Sequence, residues 1–150
     1  MNTFIAHPDQ WRLLAEQPTL APQAVEEVMR TTPTPPVTGR VAAEPVTYRG
    51  LDIPAGRMVY LITQSANTDP GVYGENTFDI TATRPVPQLS FGGGLHYCLG
   101  AALTRAELAE ALPILARRLP DPVLIGSTRW RPATGITGPV SLPIRFTPTA

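Results

Sequence analysis

Three consecutive glycines stand directly before the longest helix-forming segment of the chain, and the only cysteine follows them. Residues 91–100 read Phe-Gly-Gly-Gly-Leu-His-Tyr-Cys-Leu-Gly. Glycine loses more conformational entropy on folding than other residues, so successive glycines suit a backbone that turns sharply or lies against something flat. The segment is therefore predicted to be a loop that presents Cys98 at the N-terminus of a helix.

The predicted position of Cys98 favours a thiolate. Unpaired backbone N–H groups and the positive end of the helix dipole both stabilise a negative charge there. Thiolate is the form of cysteine that binds metals, and N–H groups near Leu99 and Gly100 can tune its electron donation. Taken without context, Cys98 also fits a buried inert thiol, a redox sensor, or a nucleophile with His96 as its base.

The pattern Phe-Gly-x-Gly-x-His-x-Cys-x-Gly fixes six positions in ten and resembles the cysteine loop of the cytochrome P450 family. The resemblance implies that the Cys98 thiolate is the axial ligand of the iron of haem b. Cys98 is then the metal ligand of the site. The other cofactor-binding residues that the resemblance implies are His96, Arg40, Phe91, Gly92, Gly94 and Gly100.

Three of these residues have individual roles in the resemblance. Arg40 and His96 resemble residues that pair with the haem propionates, although an edge-strand arginine and a surface histidine are the simpler alternatives. Phe91 would shield the sulfur from water, a role compatible with that of a plain core aromatic. Val37, Thr38 and the tail segment 134–137 match positions that contact substrate in the family.

The segment Glu27-Val28-Met29-Arg30 resembles the Glu-x-x-Arg helix of the same family. Taken alone, Glu and Arg three residues apart on a helix form a solvated pair that stabilises by about 0.2–0.5 kcal/mol. The resemblance instead implies a buried structural ion pair, with Arg84 as its third member.

Periodicity and turn residues predict an α+β protein. The predicted elements are helices at 8–17, 22–30 and 99–118, strands at 40–43, 46–48, 58–62 and 141–146, and a mostly irregular segment at 63–90. The resemblance implies the C-terminal part of the mostly helical cytochrome P450 fold, with short strands and a long helix after the cysteine loop. Residues 1–150 are predicted to form one partial domain of that fold.

Composition excludes several function classes. The formal net charge is zero and no basic run occurs, so neither nucleic acid nor an anionic membrane is an expected partner. No apolar run approaches the ~18 residues that a membrane helix needs. A single cysteine excludes an internal disulfide, which makes the reducing cytoplasm the expected location.

The family reaction implied by the resemblance inserts one oxygen atom from O₂ into an organic substrate, with electrons from a ferredoxin or flavoprotein. Family members are well over twice as long, and the helix that covers the oxygen side of the haem has no counterpart in this sequence. The chain is therefore predicted to be truncated and inactive alone. Two alternatives stay open: a haem-binding module without oxygen chemistry, and half of a split monooxygenase that needs a complementing chain.

Overall fold

A computed structural model describes residues 1–75, 77–132 and 135–147, in which helices and short strands follow one another. The helices of these residues are α1 (Asn2–Ile5), α2 (Pro8–Glu16), α3 (Ala21–Thr31), α4 (Thr63–Asn67), α5 (Pro70–Tyr73) and α6 (Ala101–Arg118). Two short 3₁₀ turns, Pro18–Leu20 and Gly94–His96, precede α3 and α6.

The strands of the described residues form antiparallel pairs. The pairs are β1 (Thr38–Val41) with β4 (Met58–Leu61), β2 (Val46–Tyr48) with β3 (Leu51–Ile53), β5 (Val123–Leu124) with β8 (Ile144–Arg145), and β6 (Arg129–Trp130) with β7 (Pro139–Ser141). The register of the first pair sets Arg40 opposite Val59. This strand pair presents Arg40 next to the segment that leads into α4.

The core lies between α2, α3 and α6. Trp11 and Leu14 of α2 are fully buried, as is Ala24 of α3, and they pack in one cluster with Leu112 and Ala116 of α6. The indole Nε1 of Trp11 donates a 2.9 Å hydrogen bond to the carbonyl oxygen of Leu119. Burial of the apolar side chains stabilises the packing of the three helices, and the Trp11 hydrogen bond fixes the end of α6 relative to α2.

The α+β class is confirmed, and each of the three predicted helices is present. The last begins at Ala101 rather than at residue 99, because Gly100 is its N-cap residue and Leu99 stays in the loop. Pro113 lies inside α6 without ending it. Helix α2 begins at the predicted residue and ends one residue earlier than predicted, and α3 extends one residue beyond the predicted range at each end.

The prediction of a mostly irregular segment at 63–90 was partly wrong, because α4 and α5 lie within it. The carboxylate of Asp69 accepts a 2.8 Å hydrogen bond from the Gly71 N–H at the start of α5, and Pro70 occupies the first helical position. Asp followed by Pro is an ordinary helix start. A helix of four residues has too little periodicity to be seen in the sequence.

Each of the four predicted strand segments contains strand residues, but the described residues form more strands than were predicted. The tail strand at 141–146 is two strands, β7 and β8, that belong to different pairs. Pro143 separates them, since proline has no N–H to donate to a strand neighbour. Strand β3 was not predicted, and β1 begins at Thr38, two residues before the predicted start.

Candidate haem-binding site

The backbone of residues 91–100, called the cysteine loop below, is closed by its own hydrogen bonds. The Cys98 N–H donates a 2.9 Å bond to the Phe91 carbonyl oxygen, and the Tyr97 N–H donates a 3.1 Å bond to that of Gly94. Gly92 and Gly94 have φ angles of +72° and +63°. Residues with a Cβ rarely adopt such angles, so these two glycines are what the turn requires.

Cys98 is exposed at the end of this loop. Its carbonyl oxygen accepts a 3.2 Å hydrogen bond from the Ala101 N–H in the first turn of α6. A buried inert thiol is therefore not what the structure contains. Cys98 lies three residues before Ala101, the first residue of the 18-residue helix α6.

Three exposed leucines stand close to Cys98 in the chain. Leu95 and Leu99 are fully exposed, and Leu103 in the first turn of α6 is 63% exposed; the three are called the leucine face below. Isolated exposed leucines are ordinary on protein surfaces, but several exposed leucines close together in the chain favour a surface that another molecule covers.

A cavity of about 420 Å³ lies beside the cysteine loop. Its lining includes Thr38 and Arg40 of β1, Ile62 before α4, and Gly92 and Gly93 of the loop. A Cβ built on Gly93 would meet no atom within 4 Å, so the loop presents bare backbone in this region. The structure thus brings Arg40 and Gly92 to one cavity.

The remaining predicted haem-site residues lie along the loop. His96 is exposed in the 3₁₀ turn Gly94–His96, and Gly100 is the residue before α6. Thr38, which was predicted to contact substrate, lines the cavity with Arg40. Thr134, of the other predicted substrate segment, lies outside the described residues.

Phe91 is buried beneath the loop, with 7% of its surface exposed. Its ring centroid lies 6.4 Å from that of Tyr97, and the guanidinium carbon of Arg105 lies 4.5 Å from the Phe91 centroid. Arg105 also donates a 2.9 Å hydrogen bond to the Tyr97 hydroxyl. Sequence reasoning assigned no role to Arg105.

Glu26 is the acidic partner of Arg105. Its carboxylate accepts two hydrogen bonds from the guanidinium, one of 2.5 Å from Nε and one of 3.3 Å from Nη2. Burial alone would raise the pKa of Glu26, but the hydrogen bonds from Arg105 and Gln88 outweigh it and hold that pKa below its usual value. The bonds to Glu26 and Tyr97 raise the pKa of Arg105.

Glu27, Arg30 and Arg84 meet in one cluster below the loop. Arg30 donates two hydrogen bonds to the Glu27 carboxylate, of 2.9 Å from Nε and 2.8 Å from Nη2. Arg84 donates two more, of 3.2 Å and 2.5 Å. Glu27 and Arg30 are 3% and 1% exposed, so this is a buried pair and not a solvated one.

The charge state of Glu27 follows from these contacts. Burial on its own would raise the pKa of Glu27. Hydrogen bonds from Arg30, Arg84 and the Asp79 N–H have the opposite effect and leave the pKa below its usual value. Glu27 is therefore an ionised carboxylate between two guanidinium groups at neutral pH.

Asn67 connects this cluster to the cysteine loop. Its carbonyl oxygen accepts a 2.9 Å hydrogen bond from Arg30 Nη1. The Asn67 side chain accepts a 2.8 Å bond from the Leu89 N–H and donates a 3.0 Å bond to the Ser90 hydroxyl. Because Ser90 directly precedes Phe91, the buried ion pair is joined to the start of the loop through the backbone carbonyl and the side chain of one fully buried residue.

A family model described as "Cytochrome P450" matches residues 6–119. The chain belongs to the cytochrome P450 family. Haem held through a cysteine thiolate is the cofactor of this family. No helix of the described residues is long and apolar enough to cross a membrane.

Individual cytochromes P450 match nearly the whole chain. Luteothin monooxygenase of Streptomyces thioluteus is 50% identical over 148 residues, which cover 97% of this chain and 36% of that protein. The biotin biosynthesis cytochrome P450 of Bacillus subtilis is 40% identical over 145 residues, or 95% of this chain and 36% of that protein.

A solved structure agrees with these relatives. The crystal structure of P450BioI, in complex with an acyl carrier protein ligated to hexadec-9Z-enoic acid, superposes with a TM-score of 0.86 at 40% identity. The match covers 97% of this chain and 38% of that one. The chain therefore spans little more than a third of the length of the relatives that it matches.

Proposed function

We propose that this chain carries the haem-thiolate portion of a cytochrome P450 monooxygenase, with Cys98 as the axial ligand of haem b. The observation that carries the proposal is the exposed Cys98 thiol, which the Cys98–Phe91 hydrogen bond holds at the end of a glycine-rich loop. Cys98 is the only cysteine in the sequence.

The surroundings of Cys98 fit a flat, largely apolar group with anionic edges. Leu95 and Leu99 offer apolar contact beside the thiol, and Gly93 leaves room for close approach to the backbone. Arg40, at the neighbouring cavity, supplies a cation suited to a propionate. His96 on the loop is the second propionate partner in this proposal.

In this site the haem supplies the chemistry by which one oxygen atom from O₂ enters an organic substrate. The chain contributes the position of the thiolate, and Phe91 keeps water from the inner side of the loop. Gly92, Gly94 and Gly100 allow the backbone to turn around the sulfur. Glu27, Arg30 and Arg84 form the rigid base that Asn67 links to the loop.

Electrons for this reaction would come from a ferredoxin or flavoprotein, as the family implies. The substrate is an organic molecule whose identity depends on parts of the pocket that this chain does not supply. Of the relatives named above, one is a luteothin monooxygenase and one is a cytochrome P450 of biotin biosynthesis. These relatives share a family and differ in the compounds that their names mention, so the substrate of this chain stays open.

The leucine face favours a second candidate function, one half of a split monooxygenase. In this alternative an additional chain covers those parts of Leu95, Leu99 and Leu103 that the haem leaves exposed. In this form, a complementing polypeptide completes the pocket and the proton path. Activity would then depend on both chains being present.

A chimera tests the proposed function. Residues 1–150 replace the matching segment of luteothin monooxygenase, and turnover of that relative's substrate is measured with a suitable electron donor. We expect product from the chimera and none from its Cys98→Ser form, with equal far-ultraviolet circular dichroism. Full turnover by the Cys98→Ser chimera, or a haem-loaded chimera without product, would contradict the proposal.

A further inference from the structure

The side chain of Arg105 reaches three groups on two different elements. It donates to the Glu26 carboxylate on α3 and to the Tyr97 hydroxyl on the cysteine loop. Its guanidinium carbon also lies 4.5 Å from the ring centroid of Phe91, at the other end of that loop. A single planar cation therefore contacts both ends of the loop and an anchor outside it.

The two loop residues that Arg105 contacts are the ones that determine where Cys98 lies. The Phe91 carbonyl oxygen accepts the N–H of Cys98, and Tyr97 is its neighbour in the chain. The Phe91 and Tyr97 rings form an edge-to-face pair with a 60° interplanar angle. Holding these two rings together also holds the backbone bond that positions the thiol.

The chemistry of the contacts calls for arginine at this position. A guanidinium is planar, so it can stack on an aromatic face while its edges donate to a carboxylate and a hydroxyl. A lysine ammonium lacks both the flat face and the fork of donors. The Arg105 and Glu26 side chains are 36% and 41% exposed, and such half-exposed ion pairs contribute little to global stability.

The geometry points to Arg105 as a positioning residue that clamps the cysteine loop through Phe91 and Tyr97, with Glu26 as its anchor. The inference rests on the proposed function, which explains why the position of Cys98 matters. The contacts that Arg105 makes do not themselves depend on haem. Because the ion pair is half-exposed, the clamp acts on the loop more than on the fold. Removing it should loosen the loop while the helical core stays folded.

Amide hydrogen exchange of the full chain without haem tests the clamp. We expect Arg105→Gln to increase the exchange rates of the Tyr97 and Cys98 amides about tenfold, as local opening becomes easier. The matched control is Arg117→Gln, an exposed arginine in the last turn of the same helix. It should leave these rates unchanged, and neither variant should change the rates of α2.

Tyr97→Phe is the second variant, and it removes only the hydroxyl that accepts from Arg105. A smaller increase, about threefold and confined to the loop, is expected. If Arg105→Gln does not fold, Tyr97→Phe decides alone, because loop rates equal to wild type overturn the proposal. Two results for Arg105→Gln also overturn the proposal. One is a Cys98 amide exchange rate equal to that of the wild type, and the other is a rate that rises only as much as the rates of α2.

A spectroscopic measurement separates positioning of the thiol from simple support of the fold. In the haem-loaded chain, Arg105→Gln should lower the share of the carbon monoxide complex with a thiolate-type spectrum, and Arg117→Gln should not. Equal shares in the two variants contradict the clamp. If no variant takes up haem, the proposed function fails, and the exchange rates still decide whether the clamp exists.

Discussion

The N–H of Cys98 donates a 2.9 Å hydrogen bond to the carbonyl oxygen of Phe91, and this bond closes the loop that presents the thiol. The closure requires the intervening backbone to reverse direction within a few residues. Gly92 has a φ of +72°, a backbone conformation that glycine adopts without the steric cost that a Cβ would add. The position of the thiol thus depends on backbone conformation as much as on side-chain packing.

Gly92→Ala should destabilise the loop by about 1–2 kcal/mol, the cost of left-handed backbone in a residue with a Cβ. A Cβ at this position would lie 3.7 Å from the His96 carbonyl oxygen, an ordinary contact, so strain rather than crowding is the cause. Gly93→Ala is the control, since its φ is −161° and the added Cβ has open space. Equal urea midpoints for the two variants would show that the positive φ at position 92 does not destabilise a residue with a Cβ.

Glu27→Ala should lower the free energy of unfolding by about 3–5 kcal/mol, because it leaves two guanidinium groups without their buried carboxylate. That loss is a large part of the ~5–15 kcal/mol that stabilises a typical domain. Chemical denaturation is the measurement, with Glu107→Ala on the exposed side of α6 as the control. A loss in Glu27→Ala no larger than in the control speaks against a structural ion pair.

Acid should weaken the fold through the same carboxylate. The pKa of Glu27 is lower in the folded chain than its usual value, so its contribution to stability is fully present above about pH 4.3, the unfolded value. The contribution is lost as the pH falls through the folded pKa. Denaturation between about pH 6 and pH 3 should show a smaller decrease in Glu27→Gln than in wild type. Parallel curves would mean that Glu27 titrates normally.

The leucine face should cause self-association of the isolated chain, because large exposed apolar side chains favour contact with another molecule. The double variant Leu95→Gln and Leu99→Gln should shift the chain toward the monomer in sedimentation velocity, without loss of unfolding free energy. Leu112→Ala, in the core, should instead cost about 2–5 kcal/mol. Unchanged association in the double variant would remove the leucine face as the cause.

The sequence was informative where a function depends on residues close together in the chain. The glycines around Cys98 and the start of α6 could be predicted, because turn chemistry and helix periodicity act over a few residues. Glu27 and Arg30 stand three residues apart on one helix, so their pairing is likewise a local property. The predictions for Cys98, His96 and Arg40 as haem contacts came from the family pattern and stay predictions.

Contacts between distant segments could not be predicted in the same way. Arg105 and Glu26 are separated by 79 residues, and nothing in either local pattern distinguishes them from other charged residues on helix surfaces. Asn67 is fully buried and its side chain bonds to Leu89 and Ser90, which lie more than 20 residues away in the chain. Only the packing of α3, α4 and α6 brings these groups to the cysteine loop.

The central claim is that Cys98 ligates haem, and an absorption spectrum tests it most directly. The purified chain is supplied with haem, reduced and exposed to carbon monoxide, beside the Cys98→Ser variant at equal concentration. We predict the red-shifted band of a thiolate-ligated carbon monoxide complex in the wild type and its loss in the variant. No haem uptake, or the same spectrum from both proteins, would contradict the account.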